Sequence, residues 1–79
     1  MSKAYVLINC ELGSEEQVVT DLKTIECVKK IHAVFGVFDI LADLECDRLE
    51  ELRQLIVVKI RCIENIRSTR TLVGINGCF

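Results

Sequence analysis

The sequence has a single histidine, no proline and no Cys-x-x-Cys pair. These absences exclude a recognisable zinc or copper site, which needs His and Cys ligands at short, regular spacings. They also leave no paired nucleophile and base from which to build a catalytic constellation. Apolar runs stay short, as in Ala4 to Ile8 and Leu55-Ile56-Val57-Val58, so no segment reaches the roughly 20 residues that a membrane helix needs. Met1-Ser2-Lys3 leads directly into a strand-like pattern without an apolar h-region or a small-residue cleavage site. No signal peptide is predicted, and a cytoplasmic protein is expected. A basic stripe is also missing. The formal net charge is −2, the two signs are interspersed, and the nearest basic group is Lys59, Arg61, Arg67 and Arg70. Phosphate neutralisation dominates nucleic-acid affinity, so direct nucleic-acid binding is disfavoured.

What is present is a chain of 79 residues, 51% apolar, read as one domain over residues 1–79. A chain this short buries only roughly 60–65% of the surface exposed by its unfolded form, so its core is limited. Cys10, Cys27, Cys46, Cys62 and Cys78 are spread evenly, and read as small hydrophobes in a reducing compartment.

From Ala4 to Leu12 the residues alternate, with Ala4, Val6, Ile8, Cys10 and Leu12 on one face and Tyr5, Leu7, Asn9 and Glu11 on the other. This predicts a first strand. Ser14 and Gln17 match a capping box, and Glu15 and Glu16 suit the positive end of a helix running to about Thr24. Its buried stripe is Val18, Leu22 and Ile25, with Val19 at the margin. Val28 to Phe35 reads as a second strand, with Ile31, Ala33 and Phe35 opposed to Lys30, His32 and Val34. His32 has no Cys, Asp or Ser partner at a telling spacing and reads as an ordinary strand residue. Gly36 suits a two-residue Gly-X turn. Phe38 to Cys46 alternates again as a third strand. Asp47 and Glu50 repeat the capping logic before a second helix, which no proline or glycine interrupts as far as Ile60 or Cys62. That helix is expected to bury Leu49, Leu52, Leu55, Ile56 and Ile60, with Val57 and Val58 widening the stripe. Arg67 to Ile75 is the fourth strand, weakened at its end by Gly74 and Gly77.

The order strand, helix, strand, strand, helix, strand predicts an α+β, ferredoxin-like βαββαβ sandwich. Right-handed crossovers place both helices on one face of a four-stranded antiparallel sheet in spatial order 4-1-3-2. The other sheet face keeps Tyr5, Leu7, Val34 and Leu41, an apolar surface that two chains can bury by pairing. A dimer, or a ring of dimers, is expected.

Two further motifs, Val34-Phe35-Gly36-Val37-Phe38-Asp39 and Ser68-Thr69-Arg70-Thr71-Leu72-Val73, stand at the second-to-third strand junction and in the last strand. The chain thereby resembles the effector-binding (RAM) domain of the Lrp/AsnC, or feast/famine, regulators. The first motif looks like that family's Gly-x-aromatic-Asp signature and the second like its Thr-x-Thr final strand. The resemblance implies a homodimer that assembles into higher rings, an octamer or decamer, with an amino acid or related small metabolite held between dimers and no cofactor. Gly36 and Val37 would meet the α-carboxylate, Asp39 the α-ammonium group, and Thr69 and Thr71 would add hydroxyl contacts, with Phe38 as wall or core. Full-length members resembling this chain carry an N-terminal helix-turn-helix domain, whereas here the first strand begins near Met1. A stand-alone accessory to transcription that co-assembles with full-length relatives is therefore expected. An ACT-like metabolite-binding module, a small dimeric ferredoxin-like enzyme and a purely structural oligomerising protein are the competing readings.

Overall fold

The computed structural model describes residues 2–73; Gly74, Ile75, Gly77 and Cys78, on which expectations above rest, lie outside them. In chain order the elements are β1 (Ser2–Cys10), α1 (Glu15–Lys23), β2 (Val28–Ala33), β3 (Ile40–Cys46), α2 (Leu49–Leu55), which continues as a π-helical turn (Ile56–Ile60), and β4 (Ile66–Val73). The sheet runs β2-β3-β1-β4 with every pairing antiparallel. This is the expected 4-1-3-2 order, and the fold is ferredoxin-like.

Strand β1 is central, paired to β3 from Ser2↔Cys46 to Ile8↔Ile40 and to β4 from Ala4↔Val73 to Cys10↔Ile66. Because side chains alternate across a strand, this register stacks Ala4, Val6 and Ile8 beside Leu44, Ala42 and Ile40, all buried. Val18 and Leu22 of α1, with Leu52, Ile56 and Ile60 of the second helical segment, close over them. The opposite face carries Tyr5, Leu7, Leu41 and Leu72, none of them fully buried.

Several local expectations are corrected. Strand β1 stops at Cys10, and Leu12 is 98% exposed, because the chain turns back at Gly13, whose φ is +85°. Neither capping box forms. Ser14 stands at ψ 8°, outside the extended region from which a cap hydroxyl reaches the helix amides, and its hydroxyl donates instead to the Glu11 carbonyl. Gln17 bonds Asp21 and Asn65 rather than returning to the cap. At the second helix Arg48 takes the extended flanking position, so Asp47 sits one residue too early to cap.

The second helix buries a narrower stripe than expected. Leu49, Val57 and Val58 are exposed. Arg61 N–H donates to the Ile56 carbonyl, an i→i+5 bond, and Ile56 and Ile60, four apart and so on one face of the helix, are buried against the sheet. Val57 and Val58 rotate outward.

The reading of all five cysteines as separate buried thiols is also overturned. Cys27 and Cys46 form a disulfide with their Cα atoms 5.6 Å apart. Val28 pairs with Leu44, so Cys27 falls beside the last residues of β3, and Glu45 N–H donates to the Cys27 carbonyl. Cys10 is a buried thiol and Cys62 an exposed one.

The core makes a clear prediction. Ile8, fully buried on the central strand, should lose about 2–5 kcal/mol of stability on Ile8→Ala, whereas Leu12→Ala should change it by less than about 0.5 kcal/mol. Urea unfolding of both variants measures the difference.

Candidate functional site

The segment between β2 and β3 keeps the register of a two-residue turn, since Ala33 pairs with Ile40 and Ile31 with Ala42. The tip is nevertheless open. The ladder ends at Ala33↔Ile40, one further bond runs from Val34 N–H to the Asp39 carbonyl at 3.0 Å, and residues 35–38 form a loop instead of the expected closed Gly-X turn. Gly36 adopts φ +136°, a conformation that side chains rarely allow. Phe35, expected on an apolar strand face, is fully exposed at this tip, and Val37 is exposed beside it.

Asp39 ties the loop to the central strand. Its N–H donates to the Ile8 carbonyl at 2.9 Å, and its Oδ2 accepts the Cys10 N–H at 3.1 Å. The Cys10 thiol donates to the same oxygen at 3.9 Å. Two strands therefore converge on one carboxylate, which satisfies a backbone donor that no ladder partner reaches. Both contacts use Oδ2, so neither engages Oδ1.

A cleft of about 430 Å³ opens here, lined by Asn9, Cys10, Leu12, Glu15, Val37, Asp39, Arg67 and Ser68. Its far wall is built by an irregularity in the β1–β4 ladder. Asn9 pairs with Ser68 but Cys10 with Ile66, so Arg67 is an extra residue on β4, and such bulges re-aim side chains. The Arg67 guanidinium lies 3.8 Å from the Glu11 carboxylate, both largely exposed, and Asn9 Nδ2 donates to Ser68 Oγ at 3.2 Å. The cleft is thus lined by the acidic Asp39 and Glu15, the basic Arg67, the amide-bearing Asn9 and the hydroxyl-bearing Ser68. That set can hold a small molecule carrying both an anionic and a cationic group.

Of the residues singled out from sequence, Val37 and Asp39 line this cleft, while Gly36 and Phe38 belong to the same loop without lining it. Thr69 and Thr71 pair with Ile8 and Val6, which puts them on the helix side of the sheet, away from Ser68. His32 is exposed on β2 opposite Leu41. Sequence inspection missed Asn9, Glu15, Arg67 and Ser68. The polar Asn9 in an otherwise apolar strand was the available signal; the bulge that presents Arg67 left none.

Cys10 also tests the site's electrostatics. Burial, and then the negative charges of Asp39 and Glu15, push its thiol above the ordinary range. A thiol held protonated is a poor nucleophile. Because the folded chain keeps this proton longer than the unfolded one, the stabilisation is fully present below the unfolded thiol value of about 8.5 and is lost as pH rises through the folded value. Stability should fall above about pH 8.5, and the decline should be shallower in Cys10→Ala when urea midpoints are compared across alkaline pH.

The geometry has relatives. A family model described as the Lrp/AsnC ligand binding domain matches residues 3–76. The crystal structure of FFRP-DM1 is 33% identical, with TM-score 0.90, and the match covers 95% of this chain and 100% of that one. A hypothetical protein of Pyrococcus horikoshii, PHS023, is 33% identical with TM-score 0.88, over 95% of this chain and 90% of that one. The feast or famine regulatory protein Rv3291c of M. tuberculosis, solved with L-methionine, is 24% identical with TM-score 0.79; all of this chain matches 53% of it, a likeness of fold. No curated protein sequence matches. With nearly its whole length covered by the family model, its sheet in the expected order and its hairpin signature in place, the chain belongs to the Lrp/AsnC ligand-binding domain family.

Proposed function

We propose that this domain binds an amino acid or a closely related zwitterion and, as an oligomer, acts as an accessory to transcriptional regulation rather than as an enzyme. The observation that carries the reading is that Asp39, Glu15 and Arg67 all line one cleft, a set of charges that suits the α-ammonium and α-carboxylate groups of a free amino acid. Rv3291c, which shares the fold, was solved with L-methionine. Gly36, Val37, Phe38 and Asp39 form the proposed ligand segment. Thr69 and Thr71 supply hydroxyls from the other side of β4 where an assembly completes a shared site. The proposed role is that of an accessory domain, and the 33% identity to FFRP-DM1 over 95% of this chain supports the family reading behind it. In that role it co-assembles with DNA-binding relatives and passes ligand occupancy on to them.

The oligomer forms through the free sheet face. Tyr5, Leu7, Val34 and Leu41 share that face by alternation, and Leu72 adds to it at 51% exposure. One polar feature supports a cover. Asp43 Oδ1, on the same face between Tyr5 and Lys30 in the ladders, is screened from water without a hydrogen-bond partner, and such an oxygen is costly unless a donor arrives. A second copy supplies donors as well as apolar area. Such dimers then close into a ring, an octamer or decamer.

Two experiments test this. In a thermal-shift screen against the twenty amino acids, a selective rise is expected, since a ligand that binds only the native state stabilises it by mass action. The rise should vanish in Asp39→Ala; an unchanged affinity there would remove Asp39 from the site. Separately, Leu7→Glu or Leu41→Glu should convert the dimer to monomer in light scattering, and a variant that stays dimeric would place the interface elsewhere.

A further inference from the structure

We infer that Cys27 is the site at which small thiols and disulfides enter a reversible Cys27–Cys46 redox couple, and that this couple tethers the edge strand β2. The inference stands independently of the ligand reading above. Three observations carry it. First, the two sulfurs differ in access. Cys46 is 4% exposed and packed in the core, whereas Cys27 is half-buried and lines a cleft of about 470 Å³ with Glu26, Glu50, Glu51, Leu55 and Lys59. Cys27 is therefore the sulfur that an incoming reagent meets from the cleft, while Cys46 is shielded by the core, and access decides which sulfur is attacked.

Second, the cleft selects by charge. Three glutamates and one lysine surround Cys27, so an anionic disulfide is repelled and a cationic one drawn in, most strongly at low ionic strength. Third, β2 sits at the margin of the core, where Val28 and Ile31 pack against it but stay only half-buried. It is an edge strand, none of its residues is among the fully buried core, and its side chains are half-buried or exposed throughout. Its ladder to β3 slips between Val28 and Lys30, immediately after Cys27. The disulfide therefore clamps the end of β2 where backbone pairing is weakest.

The exchange balances without an outside oxidant beyond the small disulfide itself. The Cys27 thiolate attacks one sulfur of R–S–S–R, that bond breaks, and R–S⁻ leaves, giving a mixed disulfide on Cys27. The Cys46 thiolate then attacks the Cys27 sulfur and expels the second R–S⁻. The two protons lost by the cysteines end on the two released thiols. Reduction runs the same steps backwards, again through Cys27.

The test uses the full chain with Cys62→Ser and Cys78→Ser, reduced and then exposed to cystamine, a cationic disulfide, or to dithiodiglycolate, an anionic one. Peptide mapping after early acid quenching should find the mixed disulfide on the Cys27 peptide. With Cys46→Ala that adduct should persist, and with Cys27→Ser labelling of Cys46 should be slower by roughly tenfold or more. Cystamine should react faster than dithiodiglycolate at low ionic strength, with the gap narrowing in high salt. Hydrogen exchange of the parent chain should show β2 amides exchanging roughly tenfold faster after reduction, with β1 unchanged. An early adduct on Cys46, a faster anionic reagent, or β2 protection that ignores reduction would each overturn the inference. The mapping and exchange steps read the parent pair, so a variant that folds poorly does not decide the result.

Discussion

Two antiparallel ladders, one on each edge of β1, fix which side chains meet the helices and which are left on the free face. Once Ile8 stands opposite Ile40 and Thr69, the parity of every other strand residue follows. A slip of one residue would carry Val6 and Ile8 out of the core and put Leu7 and Asn9 in their place. That alternation makes a packed core from a short chain. It also leaves Tyr5, Leu7 and Leu41 on a surface that a single copy cannot cover.

Beyond Ile8 the ladder between β1 and β3 runs out, and the candidate site occupies that gap. Asp39 serves the fold and the site with the same carboxylate: Oδ2 holds the Cys10 N–H, while the cleft beside it is open to solvent. A position of this kind is common where a binding site sits at the end of a sheet, because backbone groups there lack ladder partners and polar side chains must take their place. The bulge at Arg67 has the same origin. It breaks the β1–β4 register where the strand end meets the cleft, and Arg67 there lies beside the Glu11 carboxylate.

The β2–β3 hairpin joins the two ends of the molecule. Its tip carries Gly36 and Asp39 beside the cleft, and its base carries the Cys27–Cys46 bond. Between them β2 contributes no fully buried side chain, so its order depends on hydrogen bonds to β3, on the partial packing of Val28 and Ile31 and on its two ends. Few fully buried contacts go with low local stability.

Much of this was legible in the sequence. Alternation in β1 and β3, the Val18 and Leu22 stripe, and the Gly36 junction were enough to order the elements and choose the fold, because each is a local pattern tied to the period of one element. The hairpin motif pointed to Val37 and Asp39 through its likeness to the family's Gly-x-aromatic-Asp signature. What depended on distant segments meeting was hidden: the pairing of Asn9 with Ser68, the bulge that presents Arg67, the meeting of Cys27 with Cys46, and the outward turn of Val57 and Val58. The Ser14 and Asp47 caps failed because a capping motif names residue types, whereas the bond depends on a backbone angle set by the preceding turn. Sequence by itself determined the order and faces of the elements. Only the tertiary structure decided which polar groups those faces bring together, since contacts between segments far apart in the chain follow from strand register and packing rather than from local spacing.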